Sequence, residues 1–104
     1  MTKLQHVTLD KKANIYFDGK ATSRTAILPD GSKKTLGIML PGEYEFSTGV
    51  KEEMEIVAGK LLYRLEGYDW EEIDGEGVFY VPANSKFQLN VVAVTDYCCS
   101  YIEE

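Results

Sequence analysis

Histidine is almost absent from this chain: His6 stands alone among 104 residues. A transition-metal site needs several imidazole, thiolate or carboxylate donors converging on one ion, so a single histidine near a polar terminus reads as a solvated side chain. Cysteine is nearly as scarce, and the two present, Cys98 and Cys99, are adjacent. Neighbouring strand residues point to opposite faces, so the pair is not placed for a mutual disulfide and reads as one buried thiol and one partly exposed. The pair also lacks the spacing of a C-x-x-C redox motif or a zinc set. No apolar run approaches the ~20 residues that span a bilayer. The segment Met1 to Lys12 is polar and charged, without the apolar stretch of a signal peptide. A cytoplasmic protein with no membrane partner is the expectation. Basic residues are in the minority, 11 against 17 acidic, for a net charge of −6. Nucleic acid is therefore not an expected partner, because polyanion binding needs a basic face. A small anion such as phosphate needs only a few local cations or amides and stays open.

What is present points to β structure. The length gives room for one domain and one core. Apolar residues make up 44 %, with seven tyrosines and four phenylalanines, types that fit a pleated, half-buried surface. Short apolar or alternating runs recur, each closed by turn residues. Asn14–Phe17 ends at Asp18-Gly19, Thr22–Leu28 at Pro29-Asp30-Gly31, and Leu36–Leu40 at Pro41-Gly42. Tyr44–Thr48 ends near Gly49, Met54–Ala58 at Gly59, and Leu61–Leu65 at Glu66-Gly67. Val78–Val81 ends at Pro82, Phe87–Val94 at Thr95-Asp96, and Tyr97–Ile102 follows. Many short strands at this spacing predict an all-β barrel or sandwich, with residues 1–12 as an extended or flexible arm. A helix over Val50–Ala58 is the main competitor, since Lys51, Glu52, Glu53 and Met54 are good helix formers. The stretch is shorter than the ~12 residues an isolated helix needs, so it reads as a turn entering a strand. Trp70 falls in a turn, as a cap or subunit surface, and Val91, Ala93 and Tyr97 read as sheet packing.

Two segments carry a resemblance. The run from Pro41 to Lys60 resembles the first cupin motif, with Phe46 and Thr48 at the His-x-His positions, Glu52 at the motif glutamate and Gly59 at its closing glycine. Gly77 to Phe87 resembles the second motif, with Phe87 at its final histidine. The resemblance implies a single cupin-type jelly-roll barrel whose metal ligands have been replaced. A more specific resemblance lies in Tyr16-Phe17-x-Gly19-Lys20, in Leu36-Gly37-Ile38-Met39-x-Pro41-Gly42-Glu43-Tyr44-x-Phe46-x-Thr48, in Glu52-Glu53-Met54 and in Val81-Pro82-x-x-Ser85-x-Phe87. Together these are similar to the small pyrimidine/purine nucleoside phosphorylases. That resemblance implies a metal-free cupin homodimer with no cofactor. Its substrates would be nucleosides, and inorganic phosphate would be the co-substrate that converts many of them reversibly to free base and ribose 1-phosphate.

Such a reaction builds positive charge on the sugar, as glycoside hydrolysis does, and can be driven by positioning and electrostatics without a covalent intermediate. Glu52 and Glu53 are the candidate carboxylates for the ribose and its charge, and only the motif position raises Glu52 above the other acids. Thr48, at a former ligand position, is the second catalytic candidate. Arg24, Lys33 and Lys34, with the Ser47 hydroxyl, are candidates for phosphate. Tyr44, Phe46 and Phe87 are candidates for an aromatic wall against the base, Phe87 facing the first motif across the barrel. Stacking tolerates every base because each has a π-face. A metal-free cupin that binds a sugar or nucleotide without turnover, and a barrel that only builds a dimer, are the competing readings.

Overall fold

Two long strands organise the molecule. In the computed structural model, which describes residues 3–103, β6 (Lys51–Leu65) and β9 (Lys86–Ile102) run antiparallel along most of their length. The other strands are β1 (Thr8–Leu9), β2 (Asn14–Tyr16), β3 (Ala21–Ile27), β4 (Lys33–Met39), β5 (Gly42–Ser47), β7 (Glu71–Asp74) and β8 (Gly77–Val81). A short 3-10 turn, Phe17–Gly19, separates β2 from β3. All pairings are antiparallel and form one nine-stranded sheet. The C-terminal half of β9 pairs with β4 and with the first half of β6, while its N-terminal half pairs with β5 and the second half of β6. Both long strands thus belong to two walls, and the sheet rolls up as the cupin-type barrel requires.

The roll is placed by a glycine. Register shifts in the β6–β9 ladder fall between Ile56 and Leu61. Gly59 sits there at φ +121°, where a Cβ would lie 2.6 Å from the Thr95 hydroxyl. A bulge bends a strand and sharpens its twist, and glycine supplies the conformation. The expected turn at Gly59 is therefore a bulge inside one strand, and the expected break at Thr95-Asp96 is also absent. Thr95 stays in β9, fully buried, its hydroxyl donating to the Ala93 carbonyl at 2.9 Å. A polar residue looks like a turn in sequence, but here its hydroxyl is satisfied locally.

The helix-forming run at Val50–Ala58 is strand, because its alternation places Met54 and Ile56 in the core. Two strands were not foreseen. β1 pairs with β3 inside the expected arm, whose first two residues lie outside the described ones. β7 is acidic and turns a single apolar residue, Ile73, against Leu61. Both cysteines are buried and unpaired, which corrects the expectation of one partly exposed thiol: Cys98 is a short side chain set between its longer ladder neighbours Leu36 and Glu55. Ala93 is exposed, at the bend where β9 leaves one wall for the other.

The core fills from the inward positions: Met39, Ile56, Leu61, Val81, Leu89 and Val91 are 2 % exposed or less. Burial of each such side chain stabilises the fold by about 1.5–3 kcal/mol. Tyr63 stacks on Phe79 with ring centres 3.9 Å apart. Among the described residues no helix is long and apolar enough to cross a membrane.

Candidate active site

Where β9 runs beside β4 and β6, its inward side chains are Tyr97, Cys99 and Tyr101. Ladder pairing sets Thr35 beside Cys99, and sets Glu52 beside Tyr101. Ser23 on β3 lies one strand further along, opposite Gly37. These groups form a polar crescent on one wall of a cavity of about 160 Å³. Met39 and Met54 form its apolar floor, and Tyr16, Phe46, Ser47 and Phe87 close the other side.

Each polar group is held from behind. Gly37 brings β3 so close that a Cβ there would lie 1.7 Å from the Thr22 carbonyl oxygen. The Tyr97 hydroxyl donates to that same carbonyl at 3.1 Å. The Asn14 amide donates to the Ser23 hydroxyl at 3.2 Å, and the Thr35 and Tyr101 hydroxyls lie 3.5 Å apart. The Cys99 thiol lies 3.4 Å from Glu52 Oε1.

Among the described residues Glu52 is the one carboxylate that lines the cavity, and no lysine, arginine or histidine does. Burial pushes its pKa up, and the Cys99 hydrogen bond partly offsets that. Burial likewise raises Tyr101 to about 12 and Tyr97 further, so both are neutral O–H groups at physiological pH. The Cys99 thiol is pushed well up by burial and then by the Glu52 charge beside it. The arrangement is thus a single carboxyl group among neutral hydroxyls and a thiol, beside aromatic faces. It can stabilise a developing cation, bind hydroxyls and stack a ring.

Four of the residues singled out in sequence meet here: Glu52, Phe46, Ser47 and Phe87. Phe46 and Phe87 are ladder partners on adjacent strands, stacked at 5.7 Å, and do not face each other across the barrel. The others lie elsewhere. The Thr48 hydroxyl donates to the Pro82 carbonyl at 2.6 Å and accepts from the Ser85 amide at 3.0 Å, clasping two loops together. Tyr44 is buried in the core, its hydroxyl donating to the Leu40 carbonyl at 2.6 Å and its ring 5.0 Å from Phe17. Glu53 alternates to the outer face, in the same ladder row as Tyr80 and Ser100. Lys34 shares that row and donates to the Ser100 hydroxyl at 2.6 Å. Arg24 is exposed, with Nε 3.4 Å from the Lys11 carbonyl, and Lys33 is exposed at the hairpin end. Trp70 is a surface residue under the Arg64 guanidinium, 4.9 Å from its ring centre. Ser23, Thr35, Tyr97, Cys99 and Tyr101 were not foreseen. The period-two run Tyr97-x-Cys99-x-Tyr101 was the available signal, since it puts three polar-tipped side chains on one face.

The cupin fold raises the question of a metal at the two motifs. The residues do not fit one. Phe46 and Phe87 offer rings where imidazoles would be needed, and the Thr48 hydroxyl is committed to backbone groups. Among the described residues no group of three or more His, Cys, Asp or Glu side chains could hold an ion.

The sequence model described as pyrimidine/purine nucleoside phosphorylase matches residues 11–101. The chain belongs to this family. A pyrimidine/purine nucleoside phosphorylase of Leptospira interrogans is 55 % identical over 104 residues, covering 99 % of this chain and 98 % of the relative. Similar proteins also appear among solved structures. A crystal structure from Acinetobacter sp. ADP1, of a protein whose function is unknown, is 39 % identical with a TM-score of 0.92, covering 96 % of this chain and 98 % of the other. The fold reaches beyond the family: the cupin domain of Schizosaccharomyces pombe Cnp3 superposes with a TM-score of 0.65 at 15 % identity, over 94 % of this chain and 70 % of that one.

Proposed function

We propose that this chain is a broad-specificity nucleoside phosphorylase, cleaving purine and pyrimidine ribonucleosides with inorganic phosphate to free base and ribose 1-phosphate in the Glu52 cavity. The observation that carries the reading is one partly buried carboxylate set in a ring of neutral hydroxyls beside a pair of stacked phenylalanines. Family membership supports the reaction type.

Cleavage of the glycosidic bond leaves positive charge on the anomeric carbon and ring oxygen. The Glu52 carboxylate answers that charge from a partly buried position, so its effect is larger than in bulk solvent. Ser23, Thr35 and Tyr101 offer hydroxyls that can hold the ribose and the attacking phosphate, and Tyr101 remains a protonated donor. Phosphate attacks the anomeric carbon as the bond to the base breaks, and the base takes up a proton as it leaves. No metal enters these steps, and prolonged chelation is expected to leave the rate unchanged.

The size of the cavity supports broad base tolerance. At about 160 Å³ it is smaller than the ~300–1,000 Å³ that encloses a drug-sized ligand. It seats the sugar and leaves the base at the rim, against Phe46 and Tyr16. Contact there is through ring faces and so reads little of the base's hydrogen-bonding edge. We also propose a homodimer. Its support is the outer face of β4, β6 and β8, where Leu36, Ile38, Val57, Val78 and Tyr80 are exposed.

The test is to incubate the pure protein with uridine, inosine or adenosine, with and without phosphate, and measure base and ribose 1-phosphate. Phosphate-dependent release from all three is expected. No release in phosphate leaves a binding protein, release without phosphate means a hydrolase, and a rate lost to chelation and restored by zinc or manganese overturns the metal-free mechanism.

A further inference from the structure

The Glu52 carboxylate has a partner that ordinary phosphorolysis does not demand. Cys99 sits in the same wall, 4 % exposed, with its sulfur 3.4 Å from Glu52 Oε1. It is held there by the ladder, opposite Thr35 on one side and Met54 on the other. The remaining groups that face Glu52 are neutral: Val81 opposite it on β8, Tyr101 opposite it on β9, and Tyr97 and Tyr16 across the cavity. Lys51 and Glu53, its neighbours in sequence, lie on the other face of β6, where the Lys51 ammonium rests 5.5 Å from the centre of the Tyr80 ring. Among the described residues no cation lines the cavity to favour the ionised carboxylate. The hydrogen bond to it comes from sulfur.

A thiol kept protonated by burial and by a facing negative charge has only one useful role toward that charge, which is to donate. We propose that Cys99 is a positioning residue: its S–H donates to Glu52 Oε1, holds the carboxylate facing the cavity and favours its ionised form. The proposal rests on Glu52 as the catalytic carboxylate. It assigns Cys99 no nucleophilic or redox step. The proton stays on sulfur throughout, and what it changes is the pH at which Glu52 becomes competent.

The thiol is a weak donor, so the effect on the acid limb is modest and readable. In the pH profile of kcat/KM for a nucleoside at saturating phosphate, C99A should move the acid limb to higher pH by about half to one unit. Its loss below the limb is then about 3- to 10-fold greater than its loss above it. C99S restores a donor of greater strength, and its limb should lie at or below that of the unsubstituted protein. A uniform loss at every pH, or three superimposable limbs, overturns the proposal.

A second readout needs no turnover. In a C98S background Cys99 is the only thiol, and its S–H stretch in the infrared should move to lower frequency as Glu52 ionises. The shift should vanish in C98S/E52Q. A band that does not move with pH overturns the contact. A band that moves in a protein without phosphorolysis keeps the Cys99–Glu52 pair and overturns only the catalytic reading.

Discussion

The two halves of β9 use one alternation for opposite ends. From Lys86 to Val91 the inward residues are Phe87, Leu89 and Val91, which pack on β5 and the second half of β6. From Tyr97 to Tyr101 the inward residues are Tyr97, Cys99 and Tyr101, which meet Ser23, Thr35 and Glu52. The first half supplies a dry core, with Phe87 alone of it reaching the cavity, and the second a set of polar tips on apolar stems. Periodicity thus fixes which side chains enter the barrel, while their chemistry decides whether the interior is structure or site. Thr48 marks the boundary. It lies at a position where cupins carry a ligand, yet its hydroxyl ties the β5–β6 and β8–β9 loops together.

Substitutions can break this contrast. The largest effect is expected at Glu52: E52Q keeps the shape and removes the charge, and should lower kcat by about 10²–10³-fold, as loss of a group aimed at transition-state charge does. A kcat within threefold of the unsubstituted protein would move the site off the polar half. Next is Leu89, buried at 1 % exposure in the dry half. Leu89→Ala should cost about 3 kcal/mol in denaturant unfolding, with kcat at low temperature falling far less than in E52Q. An equal fall in kcat would show that the halves are not separable.

Thr48→Val is smaller. It leaves the Ser85 amide without its acceptor, at about 1–2 kcal/mol of stability, and should alter kcat less than E52Q does. Unchanged stability with a large loss of turnover would return Thr48 to the catalytic machinery. The smallest effect concerns Glu52 again, now in the folded protein without substrate. Its pKa is raised by burial, so its contribution to stability is most favourable below the unfolded pKa and declines as pH rises through the folded one. E52Q should therefore raise the melting temperature at pH 7, by about 2–4 °C once partial exposure is allowed for. The gain should shrink as the pH approaches about 4. A lower melting temperature at pH 7 would mean that the charge is better solvated than the geometry implies.

Much of the fold was legible because its period-two runs and turn signals are local. Where reading failed, the deciding contact was distant. Gly59 and Asp96 look like turn residues, but Gly59 makes a bulge against Thr95 inside β6, and β9 continues through Asp96. β7 carries acids on its exposed side and only Ile73 inward, too faint a pattern to stand alone. In the site, Glu52, Phe46 and Phe87 could be found because a motif gave them positions. Ser23 and Thr35 could not, because an isolated hydroxyl in a strand acquires meaning only when β3, β4 and β9 are laid side by side. The direction of the Thr48 hydroxyl was equally out of reach, since it depends on a loop more than thirty residues away in sequence.

Because β4, β5 and β6 all take their ladder from β9, none of these pairings can close until a segment that follows every other strand has arrived. Folding by such distant pairings is slow, since the entropy of large loops is lost before the contacts form. A growing chain that has emerged only as far as β8 would hold three unpaired strand edges at once, a state prone to sticking to its neighbours. The strand that furnishes a third of the pocket's lining residues is therefore also the one whose arrival decides whether the chain folds or aggregates.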